Sequence, residues 1–410
     1  MTTSADQQQT TDASVEAARR LTGASALLDF EGARGKVAPG VRRGRPALYT
    51  SYAADQGLLN TPAKRWWTGF LVVVAAAAPF LVAADLTYLL TLAVVYAIGG
   101  VGLNLLTGYA GQVSLGHAFF LGLGAYTAAV LGGEPGRSTW GLGLDLAIVL
   151  PAAAIVPGII GLVVAPLATR VRGLYLAVLT LGLLILGEQL FKIMTPVTGG
   201  QGVGRGVAQR TLFGVDLTAT YAVGPLIITP SISFYLLSFV LLVILGVAAR
   251  NLARGRYGRA FAAVRDRDIA AEIMGVNLLR TKTLAFALSS AYAGVAGALM
   301  SILIGRITPE QWNLFLSIDF LAVIVIGGIA TISGTIIGAC FVVLVPRLLE
   351  TLTHVIPWIS VSSGGLINVF QLQTIIFGVL IILFITLEPR GLYGLWARVR
   401  NYFKAWPFSY

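Results

Sequence analysis

Residues on which catalysis usually depends are scarce in this chain of 410 residues, which has one cysteine and two histidines. The single cysteine, Cys340, excludes an intrachain disulfide and a cysteine-rich metal site. His117 and His354 lie far apart in sequence and in unlike settings, so they suggest neither a metal pair nor a catalytic triad. No G-x-x-x-x-G-K-[ST] phosphate loop is present, and we expect no ATP hydrolysis by this chain. The sequence therefore predicts no catalytic residue, no metal and no cofactor.

Charged residues are also scarce. They make up 11% of the chain, against about 25% in ordinary soluble domains. Hydrophobic residues make up 56%, and the mean hydropathy is +0.82. Apolar runs that can cross about 30 Å of hydrocarbon predict an all-α, polytopic transmembrane helical bundle in the lipid bilayer. We expect about ten spans, at residues 67–84, 88–106, 113–133, 144–168, 173–191, 232–249, 284–304, 318–330, 333–349 and 367–387.

The charge that is present has mostly one sign, with a net charge of +11 at pH 7. The basic residues lie in the tails and in two loops, which fits the positive-inside rule and an anionic inner leaflet and not a nucleic-acid partner. With both termini cytoplasmic, all these basic segments fall on the cytoplasmic side. The expected domains are a disordered cytoplasmic extension at 1–65, a transmembrane domain at 66–396 and a cytoplasmic tail at 397–410.

Glycine and other small residues shape the expected bundle. The two short spans at 318–330 and 333–349 flank a glycine-rich break; one long broken helix there would reverse the side of all later residues, and the basic tail favours two spans. Small residues four apart predict close helix packing. Such pairs are Gly334 with Gly338, Ala293 with Gly297, and Ser290 with Gly294.

Residues 250–283 form a charged segment between two apolar runs, RNLARGRYGRAFAAVRDRDIAAEIMGVNLLRTKT. Its dense basic residues mark the cytoplasmic side. Phe261 and Val264 lie three residues apart, and Ile269 and Ile273 lie four apart, so each pair would share a helix face. We therefore expect a helix that presents a surface to a cytoplasmic partner. The alternative is a solvated amphipathic loop without a partner.

Uncharged polar side chains interrupt the apolar runs around a glycine-broken segment, TGYAGQVSLGH at 107–117. They belong to Asn104, Gln112, Ser114 and His117. These groups are candidates for the lining or gate of a translocation path, and hydrogen bonding between helices is an equally good interpretation. For His117 taken alone, a satisfied packing histidine is favoured.

Two further features are expected near the external side. Glu188 lies late in a span, and an ion pair with Lys192 four residues later is favoured over a functional role. The stretch at 193–231 is the longest external connection and is rich in glycine. It can form a shaped surface for an external binding protein, or it can be an ordinary connecting loop.

Several sequence blocks, taken in order, resemble the branched-chain amino acid ABC transporter permeases, in particular the LivM-type subunit. The ordered set covers about residues 85–396. The blocks are GLNLLTGYAGQVSLGHAFFLGLGAYTAAVL at 102–131, RVRGLYLAVLTLG at 170–182, TGGQGVG at 198–204, GRYGRAFAAVRDRDIAAEIMGVNLLRTKTLAFALSSAYAGVAGAL at 255–299, ITPEQW at 307–312, GGIATISGTIIGA at 327–339 and EPRGLYGL at 388–395.

The resemblance gives the charged segment a role. Permeases of this kind carry a cytoplasmic coupling helix, with the pattern E-A-A-x-x-x-G, that docks in a groove of the ATPase subunit. Ile269 stands here in place of the glutamate, and the two alanines after it would form a shallow face that enters the groove. The implied coupling helix lies near 259–275, and its coupling residues are Arg265, Asp266, Asp268, Ala270, Ala271 and Gly275, with charged side chains forming salt bridges at the rim.

The resemblance also implies a fold like the ten-span type II importers, and a set of partners. These are a homologous permease subunit, two cytoplasmic ABC ATPase subunits and an extracytoplasmic solute-binding protein. The implied cargo is a branched-chain amino acid, moved by alternating access. Urea, amides and other amino acids remain alternatives. A secondary transporter or channel is a rival from another class; it would need paired ionisable residues at mid-membrane, and the spans have few.

Overall fold

In the computed structural model, the chain is described at residues 62–135, 139–169, 171, 173–207, 211–223, 226–353, 359–360, 367–388 and 390–405. The extension expected at 1–65 therefore lies almost wholly outside these ranges. Within them the chain is mostly helical, which confirms the all-α class. The strands found there are short and lie in connections between helices.

The first half of the bundle follows the apolar runs closely. Its helices are α1 (Pro62–Leu81), α2 (Ala84–Asn104), α3 (His117–Gly132), α4 (Leu146–Thr169) and α5 (Leu174–Ile193). A π-helical turn, Leu105–Tyr109, extends α2. Residues 110–116 are not helical, so the span expected at 113–133 begins later than predicted. Prolines inside α4 are compatible with a membrane helix, because neighbouring groups can satisfy the freed carbonyls.

A connection with little regular structure leads to the second half. It contains α6 (Thr195–Thr198), β1 (Arg205–Gly206), β2 (Thr211–Leu212), β3 (Val215–Asp216), β4 (Tyr221–Val223) and β5 (Leu226–Ile228). The next helices are α7 (Pro230–Arg254), α8 (Arg256–Asp266), α9 (Asp268–Ile273) and α10 (Leu278–Ile304). The remaining elements are β6 (Arg306–Ile307), α11 (Leu314–Gly327), α12 (Ile332–Thr353), β7 (Ile359–Ser360), β8 (Ile367–Asn368), α13 (Val369–Leu387) and α14 (Gly391–Ala405).

Helix α10 lies at the centre of the bundle and packs against α2, α3 and α4. The packing is close because α10 carries small residues. A Cβ added to Gly294 would lie 1.9 Å from the Ala153 carbonyl oxygen of α4, and one on Gly297 would lie 1.9 Å from the Leu121 oxygen of α3. The predicted packing seam is therefore confirmed at these two glycines.

Helices α11 and α12 fold back on one another around a glycine turn. A Cβ on Gly338 would lie 2.2 Å from the Val323 oxygen, and one on Gly327 would lie 2.3 Å from the Gly334 oxygen. Gly328, in the turn, has φ +126°. The predicted break thus separates two antiparallel helices, and one long broken helix is excluded.

Six helical segments in the part of the chain that the structure describes are long and apolar enough to cross a membrane. They are Ala84–Tyr109, Leu146–Leu167, Tyr175–Ile193, Pro230–Arg254, Leu278–Ile304 and Pro309–Gly327. Three shorter apolar segments accompany them, at Arg65–Leu81, His117–Gly132 and Ile332–Leu348.

Contacts between connections define two opposite ends of the bundle. At one end, β1 pairs antiparallel with β6, and the Trp140 N–H donates to the Pro196 oxygen at 3.0 Å. At the other end, the segment at 105–116 meets α8 and the turn at 328–331. The end that contains α8 is called the coupling end below, and the other is called the β1–β6 end.

Candidate coupling and translocation site

The charged segment at 250–283 forms two helices where one was expected. Arg267 separates α8 from α9 and has an extended backbone (φ −154°, ψ 102°). The Ala271 N–H donates to the Arg267 oxygen at 3.0 Å, so α9 starts immediately after the break. The predicted helical character is present, but the helix expected near 259–275 is interrupted at Arg267.

The end of α9 lies where the sequence predicted a stop, just before Gly275. The Gly275 N–H donates to the Glu272 oxygen at 2.9 Å, and the Val276 N–H donates to the Ala271 oxygen at 2.9 Å. These two bonds form a Schellman motif. Gly275 has φ +85°, which glycine adopts without strain. A side chain at this position would therefore disturb the turn that leads into α10.

Helix α8 is fixed to the bundle. Phe261 and Val264, predicted to share a face, are both buried. Gly258 is also buried, and a Cβ there would lie 1.9 Å from the Ala253 oxygen at the end of α7. Helix α8 is therefore packed directly against the transmembrane helices.

Helix α9 presents an apolar surface to the outside of the chain. Ile269 is 62% exposed, Ile273 is 81% exposed and Met274 is 83% exposed. Ala270 is exposed as well, whereas Ala271 is only 4% exposed. The expectation that both alanines form one outward face is therefore wrong for Ala271, which points into its own chain. The outward face is the one that Ile269 and Ile273 share.

The charged residues around α9 also form contacts that differ from the salt bridges expected at the rim of the docking groove. Asp268 lies 3.9 Å from the Lys282 ammonium of α10, and its carboxylate accepts the Ile269 N–H at 2.9 Å. Asp266 is exposed and lies 3.1 Å from Arg265. An open cleft of about 550 Å³ adjoins these residues. It is lined by Glu272, Gly275, Val276, Asn277, Leu278, Leu279 and Lys282.

Asn104, a candidate path residue, is a fully bonded side chain at the end of α2. Its Nδ2 donates to the Thr335 hydroxyl at 2.7 Å and to the Thr331 oxygen at 3.1 Å. Its Oδ1 accepts the Ala330 N–H at 2.9 Å. Asn104 is 0% exposed, so its side-chain amide has no contact with bulk water and is satisfied by these bonds alone. Asn104 therefore forms hydrogen bonds between helices. Both N–H groups of its side chain are used in them, so neither is left to bind a ligand.

The other three candidates lie beyond the π-helical turn and are buried. The Ser114 hydroxyl accepts the Gly116 N–H at 3.3 Å. Gln112 is held by its backbone, whose oxygen accepts the Thr107 hydroxyl at 3.0 Å, but its side-chain Nε2 has no hydrogen-bond partner within the described ranges. The same is true of the His117 Nε2. The idea of a fully satisfied packing histidine is therefore wrong for that nitrogen.

Arg265 connects the candidate coupling residues with the candidate residues of the translocation path. Its guanidinium Nη1 donates to the Gly108 oxygen in the π-helical turn at 3.1 Å. Gly111 (φ +70°) lies against the stem of the same side chain, since a Cβ there would be 2.7 Å from the Arg265 Cγ. Gly108 in turn adjoins Asn104, and its Cβ would lie 1.9 Å from the Asn104 Oδ1. Arg265 was expected at the rim, and it is exposed and paired with Asp266, but its guanidinium also connects α8 to the polar break.

At the β1–β6 end, Arg205 binds three carbonyl groups. Its Nη1 donates to the Val197 oxygen at 2.7 Å, and its Nη2 donates to the Ala129 and Trp140 oxygens at 2.6 Å each. The side chain is 3% exposed, and burial lowers the pKa of its guanidinium. Neither interpretation of 193–231, a shaped surface for a binding protein or an ordinary connecting loop, included this buried cation, which binds carbonyl groups of three segments.

An ion pair and a single carboxylate also lie within helices. The Lys192 ammonium is 2.6 Å from the Glu188 carboxylate, as expected for a structural pair. Asp319 was not singled out from the sequence, and it lies half-buried in α11. An acidic residue inside an apolar run is a signal that could have found it. The neighbouring Phe320 ring lies 4.6 Å from the Tyr96 ring and 5.1 Å from the His117 ring.

These features define a helical membrane transport subunit with an exposed surface at the coupling end. Residues 86–385 match the family described as branched-chain amino acid transport system / permease component. The chain is 32% identical to the high-affinity branched-chain amino acid transport system permease protein LivM of Escherichia coli, over 68% of this chain and 67% of the relative. LivM of Salmonella typhimurium matches with the same identity and coverage.

A more distant relative is named for a different substrate. The autoinducer 2 import system permease protein LsrC of Klebsiella pneumoniae is 36% identical over 25% of this chain and 30% of the relative. No solved structure matches the chain. The match over residues 86–385 and the LivM similarity show that the chain belongs to the family of branched-chain amino acid transport permeases.

Proposed function

We propose that this chain is the transmembrane permease subunit of an ATP-driven importer of branched-chain amino acids. Family membership and the LivM relatives support the substrate class. The observation that carries ATP coupling is the Arg265 bond to the Gly108 oxygen, because it connects an exposed cytoplasmic surface to a polar break in the bundle. ATP hydrolysis takes place on two partner ATPase subunits, and this chain performs no covalent chemistry.

The proposed mechanism is alternating access driven through α9. The apolar surface formed by Ile269, Ile273 and Met274 docks on an ATPase subunit, with Asp266, Asp268, Ala270 and Gly275 at the contact. Closure of the ATPase pair moves α9, and the buried face of α8 passes that movement to Arg265. Arg265 then shifts the π-helical turn at Gly108, next to the turn between α11 and α12. The cavity between this chain and a homologous permease changes its open side as a result.

The translocation path passes the break at 105–116 in this proposal. Gln112 and His117 each keep a buried nitrogen without a partner among the described residues. The Gln112 Nε2 can donate a hydrogen bond to a polar substrate or to water, and the His117 Nε2 can donate or accept one. Ser114 shapes the loop that carries them. Asn104 holds the break together and does not contact the substrate.

The proposed topology has ten spans, formed by α1, α2, α3, α4, α5, α7, α10, α11, α12 and α13, as in type II importers. The domains are a cytoplasmic extension at 1–65, a permease domain at 66–396 and a cytoplasmic tail at 397–410. Both termini then lie in the cytoplasm, and an extracytoplasmic solute-binding protein docks at the β1–β6 end. The grouping of connections at two ends supports this order of crossings.

Thiol labelling tests the topology. Thr218→Cys at the β1–β6 end and Glu272→Cys at the coupling end are both exposed positions. In a background that carries Cys340→Ser, an impermeant reagent added to intact cells should label the first and spare the second until the membrane is opened. The opposite pattern would refute the topology and, with it, docking at α9.

Reconstitution tests the function. The chain is co-purified with candidate ATPase subunits, placed in proteoliposomes with its binding protein, and supplied with labelled leucine. We expect uptake that needs ATP and competes with isoleucine and valine. Uptake of leucine without ATP would favour a secondary transporter.

Substrate identity is a separate arm of the same assay. Urea, an amide and other amino acids are offered in turn, together with autoinducer 2, for which the LsrC relative is named. ATP-dependent uptake of one of these, with no uptake of leucine, would keep the permease role and overturn the proposed substrate.

A further inference from the structure

The last helix, α14, has an exposed apolar face. Leu395 is 43% exposed, Trp396 is 58%, Val399 is 48% and Tyr402 is 62% exposed. These residues recur at intervals of three and four, so they lie along one side of the helix. An apolar stripe of this kind needs a cover, because exposed large apolar patches mark contact sites.

Basic residues border this apolar face at both edges. Arg398 and Arg400 are exposed and lie about 160° apart around the helix axis, with Asn401 on the polar side between them. At 100° per residue, Arg400 lies 100° from Val399 and therefore at the edge of the polar side. The helix is thus amphipathic and positively charged, which is the pattern of helices that lie in the plane of an anionic bilayer surface.

The position of α14 is fixed by the fold. Three residues separate it from α13, and Gly391 makes the turn with φ +58°. A Cβ on Gly391 would lie 2.5 Å from the Ile326 oxygen, so the start of α14 is wedged against the end of α11. Arg398 forms an ion pair with Glu388 at the end of α13. The helix packs against α11 and α12 at the coupling end of the bundle.

The surface that precedes α14 also points to lipid. Helix α13 exposes Ile375, Val379, Ile382 and Leu387, an apolar surface suited to hydrocarbon. It ends at Leu387, so the boundary of the bilayer lies close to the start of α14. Trp396 and Tyr402 have amphipathic rings that favour the level of the headgroups.

We propose that α14 lies in the surface of the cytoplasmic leaflet, with Leu395, Trp396 and Val399 at the boundary between acyl chains and headgroups. Arg400 then faces anionic headgroups, while Arg398 keeps its ion pair with Glu388. This placement uses the topology proposed above, but it does not depend on the substrate. Because α14 contacts α11 and α12, the lipid surface also supports the turn at 328–331 from the cytoplasmic side.

Spin labels at two adjacent positions test the placement in the full chain. Val399→Cys and Arg400→Cys are each made with Cys340→Ser, labelled, and reconstituted with the co-purifying subunits in nanodiscs of phosphatidylcholine with phosphatidylglycerol. Collision rates are measured with oxygen, which concentrates in lipid, and with a water-soluble nickel chelate. We expect the ratio of oxygen to nickel collisions to be several-fold higher at position 399 than at position 400.

Each other outcome overturns the proposal. Equal ratios with high nickel access at both positions would place α14 in water. Low access of both reagents at position 399 would show that protein covers the apolar face.

A further readout concerns charge: in discs with phosphatidylglycerol, Arg400→Gln should lower the ratio at position 399, and in pure phosphatidylcholine it should not. If Arg400→Gln leaves the ratio at position 399 unchanged in both lipids, anionic headgroups do not hold α14 at the surface.

Discussion

Asn104 and Thr335 are separated by 231 residues and are joined by a hydrogen bond of 2.7 Å between the Asn104 Nδ2 and the Thr335 Oγ1. Bonds from the same amide to Thr331 and Ala330 hold the end of α2 against the turn between α11 and α12. Arg265 contacts the next turn of the same segment at Gly108. A single buried amide therefore lies between the coupling helix and the second half of the bundle.

The first prediction is that Asn104→Leu destabilises the chain by about 2 kcal/mol, since it removes three bonds that average about 0.6 kcal/mol each in membrane proteins. Thr335→Val removes two bonds, the one from Asn104 and the one that its hydroxyl donates to the Thr331 oxygen at 2.9 Å, and should cost about 1.2 kcal/mol. Thermal unfolding of the detergent-purified complex measures both. If Asn104→Leu is no worse than Thr335→Val, the amide is not the connection between the two halves.

The second prediction concerns transmission. Arg265→Met keeps the side-chain stem against Gly111 but removes the bond to the Gly108 oxygen. A hydrogen bond to a charged group contributes about 1.5–3 kcal/mol, so we expect uptake to fall about tenfold or more while the ATPase subunits still co-purify. Arg259→Met is the control, because Arg259 also lies in α8 but is exposed, and its guanidinium donates only a long bond of 3.4 Å to the Arg254 oxygen. Loss of ATPase binding in Arg265→Met would place Arg265 in the docking contact instead.

The third prediction concerns docking. Ile273→Asp puts a charge on the 81% exposed face of α9, and we expect weak ATPase binding in a pull-down with unchanged thermal stability. Ile227→Asp is the matched control: it is also exposed but lies in β5, away from α9. If Ile273→Asp retains its ATPase as well as the control does, α9 is not the docking element.

Because Ala271 is buried, a large side chain at this position should damage the fold of the chain and not only its contact with the ATPase subunit. Ala271→Trp would overpack a site that is 4% exposed, at a cost of about 1–3 kcal/mol. We therefore expect Ala271→Trp to unfold at a lower temperature than Ile273→Asp. The two variants separate damage to the fold from damage to the contact.

The sequence predicted the parts of this fold that depend on local pattern. Apolar runs located the long helices, and Gly275 was predicted as the end of α9 because glycine adopts positive φ freely. The pairing of Phe261 with Val264 followed from helix periodicity. Each of these inferences needs only residues within a few turns of one another.

Contacts between distant segments could not be predicted in this way. Arg265 looks like one basic residue among several, and nothing local shows that its guanidinium points to Gly108. The same holds for Ala271, whose side depends on the break at Arg267 that rotates α9 relative to α8. The three carbonyl groups around Arg205 come from segments on both sides of α5, so only the folded chain brings them together.

The last prediction concerns Arg205 at the β1–β6 end. Arg205→Met fills similar space but leaves the Ala129, Trp140 and Val197 oxygens without their donor. Because leaving a buried carbonyl group without its donor costs about 1–3 kcal/mol, we expect a clear fall in the unfolding temperature. Hydrogen exchange should become faster around residues 195–207 and 139–145.

Arg306→Met is the matched control for Arg205→Met. Arg306 lies in the partner strand β6 and donates to the Val203 oxygen at 3.1 Å, but it is exposed to solvent. Water can replace that bond, so Arg306→Met should change the unfolding temperature little. Arg205→Lys should fall between the two variants, because an ammonium keeps the charge but lacks the planar fork that binds several carbonyls at once. Equal stability of Arg205→Met and Arg306→Met would show that the buried guanidinium does not hold this end of the bundle.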